Sequence, residues 1–320
     1  MGKRIPAFDI LKGLAILCVI IGHIPTFPYE SVRHWIYTFH MPVFFLVSGY
    51  FFRPATDTRS YLKKTYDRLI VPFLSTAAIL VLYGLAVSLK NQEWRPLLRM
   101  VSLNVFPSGV ARHPDLQTLI NTSTPTWFLP ALFWCRLVTN QLSGKAFYPY
   151  SIFLVALVAI GVDHALFNLP FALLPGLAGL LFYETGHLCA KHGVNRWLAV
   201  LCLICWPLAF AFSRLSMVDS YYGILPLDYL GACGGSLFLW WVSSWIAKLP
   251  AALYKWLEWI GKNSLVILCV HTVEMICLLR GHFGISSAWY IELAVRLAVI
   301  LAASWLCTKI PFTRKIFQIA

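Results

Sequence analysis

The chain has 320 residues, of which 59% are hydrophobic and 12% are charged, whereas soluble proteins carry about 25% charged residues. This composition excludes a soluble enzyme and predicts one integral-membrane domain over residues 1–320, because no polar stretch is long enough for a second core. The net charge of +13 is spread over short loops beside apolar spans, which is typical of contact with anionic lipid rather than of nucleic-acid binding.

Apolar stretches long enough to cross a bilayer, about 20 residues each, predict an all-α polytopic fold of about ten transmembrane helices. With the amino terminus inside, about seventeen basic residues fall on the cytoplasmic side and about seven outside, and this positive-inside bias predicts that both termini are cytoplasmic. The predicted limits are 9–26, 35–52, 69–89, 127–142, 150–168, 171–190, 197–213, 222–247, 263–280 and 289–308.

The first predicted helix carries three ionisable residues, Asp9, Lys12 and His23, within the apolar sequence FDILKGLAILCVIIGHIPT. Lys12 and His23 are eleven residues apart, about three helical turns, so they lie on one face. Asp9 lies one turn before Lys12 on that face; it is most simply the partner of Lys12, and a role in orienting another group stays open. Ionisable residues inside a membrane span are costly and point to function. We therefore predict part of a reaction path here.

The second predicted helix contains FHMPVFFLVSGYFF, with His40 near its outer end. If the first helix runs outward and the second runs inward, His23 and His40 share one depth and can face one cavity. A structural alternative stays open, in which His40, beside Pro42, only stabilises the end of an interrupted helix.

Two further blocks follow along the chain. The segment DRLIVPFL (67–74) predicts that Arg68 opens the third helix at the cytoplasmic side. The outward loop over 90–126 has the length of a lid or an acceptor-binding loop, and its part 93–106 is predicted to lie flat on the membrane surface. The block TPTWFLPALFW places Trp127 at the outer mouth of the fourth helix, where stacking on a sugar and a place in the aromatic belt both fit.

The block GKNSLVILCVHTVE opens the ninth predicted helix with Asn263 at its start. His271 and Glu274 follow three residues apart, so they share one face. They are candidates for substrate binding, or for a polar clamp between helices. In the tenth helix, Glu292 and Arg296 read as an intrahelical pair without a predicted function.

Taken in this order, the blocks resemble the integral-membrane acyltransferase family 3, close to its fucose 4-O-acetylase-like branch. The resemblance implies about ten helices and transfer of an acyl group, usually acetyl from acetyl-CoA, to sugars of surface polysaccharides. The family pattern is a basic residue, ten residues and then the first-helix histidine. Arginine is common at the basic position, where this chain has Lys12, which keeps the charge but not a two-pronged grip on phosphate. The matching sequences are FDILKGLAILCVIIGH, FHMPVFFLVSGYFF, DRLIVPF, TPTWFLPALFW and GKNSLVILCVH.

The residues fit this chemistry. Acyl transfer to a hydroxyl needs a base, and histidine suits that role near neutrality, whereas the phosphates of a cytosolic donor need cations. The predicted catalytic residues are His23 (the general base), His40 and Asp9. The predicted donor contacts are Lys12, Arg68 and Arg53. The predicted substrate contacts are Trp127, His271, Glu274 and Asn263. No metal-binding constellation occurs in the sequence, so we expect no metal.

The leading prediction is an O-acyltransferase in the bacterial cytoplasmic membrane, surrounded by lipid, that moves an acyl group from acyl-CoA to a carbohydrate. Direct transfer and an acyl-histidine intermediate both stay open, as does a homo-oligomer. The alternative is a secondary transporter or polysaccharide exporter in which buried ionisable residues relay protons. A third reading is an accessory subunit with no activity of its own. The sequence names neither the sugar nor the hydroxyl.

Overall fold

A computed structural model describes residues 5–108, 124–148, 150–165, 169–219, 221–278 and 288–319. Within these ranges the chain is helical and has no β-strand beyond one isolated bridge, between Ser216 and Tyr221. This confirms the all-α prediction. Within the outward loop over 90–126, predicted to be a lid or an acceptor-binding loop, residues 109–123 lie outside the described residues.

The first half of the chain forms α1 (Pro6–Gly22), α2 (Glu30–Tyr37), α3 (His40–Tyr50), α4 (Thr58–Asn91), α5 (Arg95–Val105), α6 (Phe128–Leu142) and α7 (Tyr150–Ala165). The second half forms α8 (Leu173–Ala178), α9 (Leu180–His192), α10 (Arg196–Phe212), α11 (Leu225–Ile246), α12 (Ala251–Lys262), α13 (Ser264–Val273), α14 (Trp289–Lys309) and α15 (Pro311–Phe317).

Among the described helices, α4 and α14 are long and apolar enough to cross a bilayer. The pair Ala251–Lys262 and Ser264–Cys277, bent by 65° at the break between them, would add a third crossing if it is one broken span. The count of ten spans and the cytoplasmic placement of both termini stay predictions.

Two predicted spans are divided. The span 35–52 is broken between Tyr37 and His40, beside Pro42, which has no backbone N–H to donate to the preceding turn. The span 171–190 is broken at Gly179, where α8 gives way to α9. The single continuous helices predicted there are therefore wrong.

The third helix begins earlier than predicted. Asp57 caps α4, because its Oδ1 accepts hydrogen bonds from the backbone N–H groups of Arg59 and Ser60 at 3.1 and 3.2 Å. Arg68 therefore lies three turns inside α4, and the prediction that it opens this helix is wrong. The segment 93–106 does contain a helix, α5, which packs on α4.

Close helix crossings hold α3 and α1 in place. At Gly49 of α3 a Cβ atom would fall on the backbone of Tyr183 in α9, and at Gly186 of α9 it would fall on the backbone of Leu46. Helices in membranes pack through small residues because these let two backbones approach. The same device, with Gly13 and Gly261, joins α1 to α12.

The first helix lies at the centre of the described packing. α1 contacts α2, α3, α11, α12 and α13, and α13 in turn contacts α4 and α14. The carboxyl end of α1 is therefore surrounded by side chains from helices that are distant in the sequence. This is where the histidines meet.

Candidate active site

His23 is the residue at which α1 ends. Its backbone N–H donates to Ile20 O rather than to Val19 O, and its ring Nδ1 donates instead to Val19 O at 2.7 Å. A carbonyl oxygen only accepts hydrogen bonds, so Nδ1 carries the proton and Nε2 of the neutral ring keeps a free lone pair. The hydrogen bond from Nδ1 to the last turn of α1 thus leaves Nε2 as the basic atom of the ring.

His40 is arranged in the same way at the break between α2 and α3. Its Nδ1 donates to Ile36 O at 3.0 Å, which leaves Nε2 as the atom with the lone pair. Tyr37 lies between the two histidines: its ring centroid is 4.9 Å from that of His40 and 6.5 Å from that of His23.

Both histidines line one cavity of about 210 Å³. Its wall also includes Tyr37, Trp127 and Asp219. The structure therefore brings together three residues predicted for the site, and the ring of His23 is open to this cavity rather than sealed in packed side chains.

Trp127 belongs to the cavity wall. It ends the short 3₁₀ turn Pro125–Trp127 before α6 and is only 4% exposed. Its ring centroid lies 6.5 Å from that of Phe45 and 6.4 Å from that of Phe128. A lipid-facing belt residue would be exposed, so the belt interpretation is wrong.

A chain of buried polar residues lies behind His23. The ring centroid of His271 is 5.5 Å from that of His23, and Nδ1 of His271 is 3.4 Å from Oε2 of Glu274. Oε1 of Glu274 is in turn 3.6 Å from Nη1 of Arg296. His271 and Glu274 are thus brought to the predicted base, but neither lines the described cavity, so a substrate contact for them stays a prediction.

The opposite end of α1 holds Asp9 and Lys12, whose Oδ1 and Nζ are 2.8 Å apart. Lys12 lies about 16 Å along the helix from His23, at 1.5 Å per residue. The structure pairs Asp9 with Lys12 and does not bring it to the histidines. Asn263 lies at the Lys12 end too, two residues after Gly261, and its Nδ2 donates to Trp259 O at 2.8 Å.

Arg53 lies near the Lys12 end of α1. The ring of Phe8, one turn from Lys12, packs on those of Tyr50 and Phe51 with centroids 4.6 and 4.8 Å apart. Arg53 comes two residues after Phe51 and is exposed, with Nη1 donating to the backbone O of Phe52 at 2.7 Å. Arg68 is exposed on α4.

Sequence reasoning missed several cavity and network residues. Tyr37, whose Oη donates to Gly22 O at 3.0 Å, carries no signal of its own in the sequence. Ser216 and Asp219, joined by a 2.5 Å hydrogen bond, come from a loop between two predicted spans. The sequence spacing indicates the pair of Arg296 and Glu292, but it gives no sign that Arg296 also contacts Glu274.

Comparison with known proteins identifies the family of the chain. Residues 5–309 match the acyltransferase 3 family, described as "Acyltransferase domain". No curated protein and no solved structure matches the chain. Among the described residues, no group of three or more His, Cys, Asp or Glu side chains is arranged to hold a metal ion. The chain belongs to the acyltransferase 3 family and is a membrane acyltransferase.

Proposed function

We propose that the protein is an O-acyltransferase that moves an acetyl group from acetyl-CoA to a sugar hydroxyl, with His23 as the general base. The observation that carries the proposal is the free lone pair of His23 Nε2 at a cavity that also holds His40 and Trp127. The acceptor is a surface polysaccharide or its lipid-linked precursor, and the enzyme lies in the bacterial cytoplasmic membrane.

The proposed reaction needs one base. His23 Nε2 takes the proton of the acceptor hydroxyl while its oxygen attacks the thioester carbon. The new C–O bond forms, the C–S bond breaks, and the protonated imidazole returns its proton to the departing thiolate. His40, with its own Nε2 lone pair beside the same cavity, accepts a hydrogen bond from a second hydroxyl of the sugar and orients it.

The donor approaches from the other end of α1. Lys12 lies about 16 Å from His23 along the helix, a distance that the long flexible arm of a coenzyme A thioester can bridge. Lys12 and Arg53 hold its phosphates there, because charge-assisted contacts to phosphate are strong. Asp9 keeps the Lys12 ammonium in place, and Arg68 adds positive charge from the surface of α4.

Neutralising Lys12 is expected to weaken donor binding. Lys12→Gln should raise the KM for acetyl-CoA about tenfold, the loss of roughly one charge-assisted contact, and should leave the KM for the acceptor unchanged. Lys12→Arg, which keeps the charge, is the matched control and should stay near the wild-type value. A Gln variant with an unchanged donor KM would place the phosphates elsewhere.

Truncating Trp127 is expected to weaken acceptor binding. A sugar stacked on an aromatic ring loses that surface in Trp127→Ala, so the acceptor KM should rise about tenfold or more, while Trp127→Phe should retain most of the affinity. The acetyl-CoA KM is the internal control. Equal losses for donor and acceptor would indicate a collapsed cavity instead of a lost stacking platform.

The proposal is tested by following both products. Purified protein is mixed with acetyl-CoA and with glycan extracted from cells that lack it, and free thiol and acetylated glycan are measured together. A transferase releases one thiol for each acetyl group gained. A transporter, or a subunit that needs a partner enzyme, releases none, and either result would overturn the proposal. Mass spectrometry of the glycan identifies the sugar.

A further inference from the structure

We propose that Glu274 and Arg296 are positioning residues that hold His271 against His23 and balance the charge on His23 during the reaction. This inference rests on the proposed function of His23. It adds α14, which sequence reasoning did not connect with the site, to the parts of the molecule that act in transfer.

The first argument is burial. His271 is 0% exposed, Glu274 is 2% exposed and Arg296 is 3% exposed. Both ring nitrogens of His271 and both carboxylate oxygens of Glu274 lack a hydrogen-bond partner among the described residues. An unpaired buried polar group costs about 1–3 kcal/mol, so these residues are poorly suited to a purely structural clamp. Ionisable residues inside membrane proteins mark functional paths.

The second argument is connectivity. Arg296 uses Nε and Nη2 to bind Oε1 of Glu292, at 2.9 and 2.8 Å, and this leaves Nη1 to face Glu274. The other carboxylate oxygen of Glu292 accepts a hydrogen bond from the hydroxyl of Thr26. Thr26 comes only three residues after His23, so the contacts form a ring that begins and ends beside the proposed base.

The third argument is charge. In the proposed state both imidazoles are neutral and both carboxyl groups are ionised, so Glu274, Glu292 and Arg296 together carry one net negative charge. When His23 takes the hydroxyl proton it becomes a half-buried cation, which is costly unless compensated. A fixed negative charge behind the imidazole stabilises the state in which charge develops. The imidazole of His271 lies near both Glu274 and His23, and it links the carboxylate to the proposed base.

The test separates this role from substrate binding. Glu274→Gln keeps the shape of the side chain and removes its charge, so kcat should fall about 10- to 100-fold, the size of loss typical when a residue that orients a metal-binding histidine is replaced. The KM values for acetyl-CoA and for glycan should stay within twofold. Glu274→Asp, which keeps the charge, should retain more activity than Glu274→Gln.

A second variant covers a failure to fold. A lone buried charge is destabilising, whereas replacing every member of a buried group of ion pairs is often tolerated. Arg296 pairs with both Glu274 and Glu292, so the triple variant Glu274→Gln/Glu292→Gln/Arg296→Met, which removes all three charges, should accumulate in the membrane. We expect it to be folded and to have the low kcat of Glu274→Gln. A triple variant with full kcat would overturn the positioning role, since it would show that these charges only support folding. An inactive His23→Asn beside a fully active Glu274→Gln would reject this inference and leave the proposed function intact.

Discussion

Replacing His23 with asparagine is expected to abolish acyl transfer and to leave the protein folded in the membrane. The asparagine amide keeps an N–H group that can donate to Val19 O, the contact made by Nδ1 in the wild type at 2.7 Å. It has no basic nitrogen, so the hydroxyl of the acceptor keeps its proton. Loss of a general base lowers rates by about 10²- to 10⁴-fold. The measurement is the rate of CoA thiol release by purified protein.

The matched comparison is His23→Ala, which removes the base and the hydrogen bond together. Both variants should be inactive, but only the alanine variant should show a lower thermal midpoint in detergent, because only it leaves Val19 O without the side-chain donor. This pattern assigns the hydrogen bond to stability and Nε2 to chemistry. Near wild-type activity in His23→Asn would mean that the imidazole is a helix cap and nothing more.

Replacing Gly49 with valine is expected to destabilise the protein severely. The first added atom, Cβ, would fall on the backbone of Tyr183, and a backbone at a helix crossing cannot rotate away as a side chain can. Overpacking of this kind typically costs about 1–3 kcal/mol and occasionally more. We expect a loss of more than about 3 kcal/mol here, read out as a collapse in the yield of monodisperse protein.

Gly161→Ala is the control for this change, because nothing lies within 4 Å of a Cβ atom placed at Gly161 of α7. It should have a wild-type yield and thermal midpoint. Since α3 carries His40 at its other end, the milder Gly49→Ala should also reduce activity in whatever protein remains folded. A Gly49→Val variant as stable as Gly161→Ala would mean that α3 and α9 do not cross as closely as described.

Local sequence patterns were sufficient for the helical class and for the pairing of two histidines. His23 and His40 were predicted to share one depth, because they stand on consecutive apolar segments expected to run in opposite directions, and the structure places both on the wall of one cavity. Trp127 was also predicted to lie at the outer side of the membrane, because its block opens the fourth predicted helix. These inferences need only helix geometry and the hydrophobic pattern.

The remaining features depend on contacts that no local pattern encodes. Apolarity over 35–52 hides the break before His40, because both pieces are hydrophobic. The pair of Glu292 and Arg296 is visible as a spacing of four residues, but its extension to Glu274 depends on how α13 and α14 pack. The start of α4 was missed because the polar first turns of that helix fall below the hydrophobic threshold used to recognise a span.

The account depends most on His23 acting on a hydroxyl bound in the cavity between α1, α3 and the turn before α6. The direct measurement is acetyl transfer by purified wild-type protein and by His23→Asn, with radiolabelled acetyl-CoA and glycan extracted from cells that lack the protein. We predict that the wild type places label on the glycan with one thiol released per acetyl group, and that His23→Asn does neither although it binds acetyl-CoA normally. Equal labelling by both proteins would contradict the account.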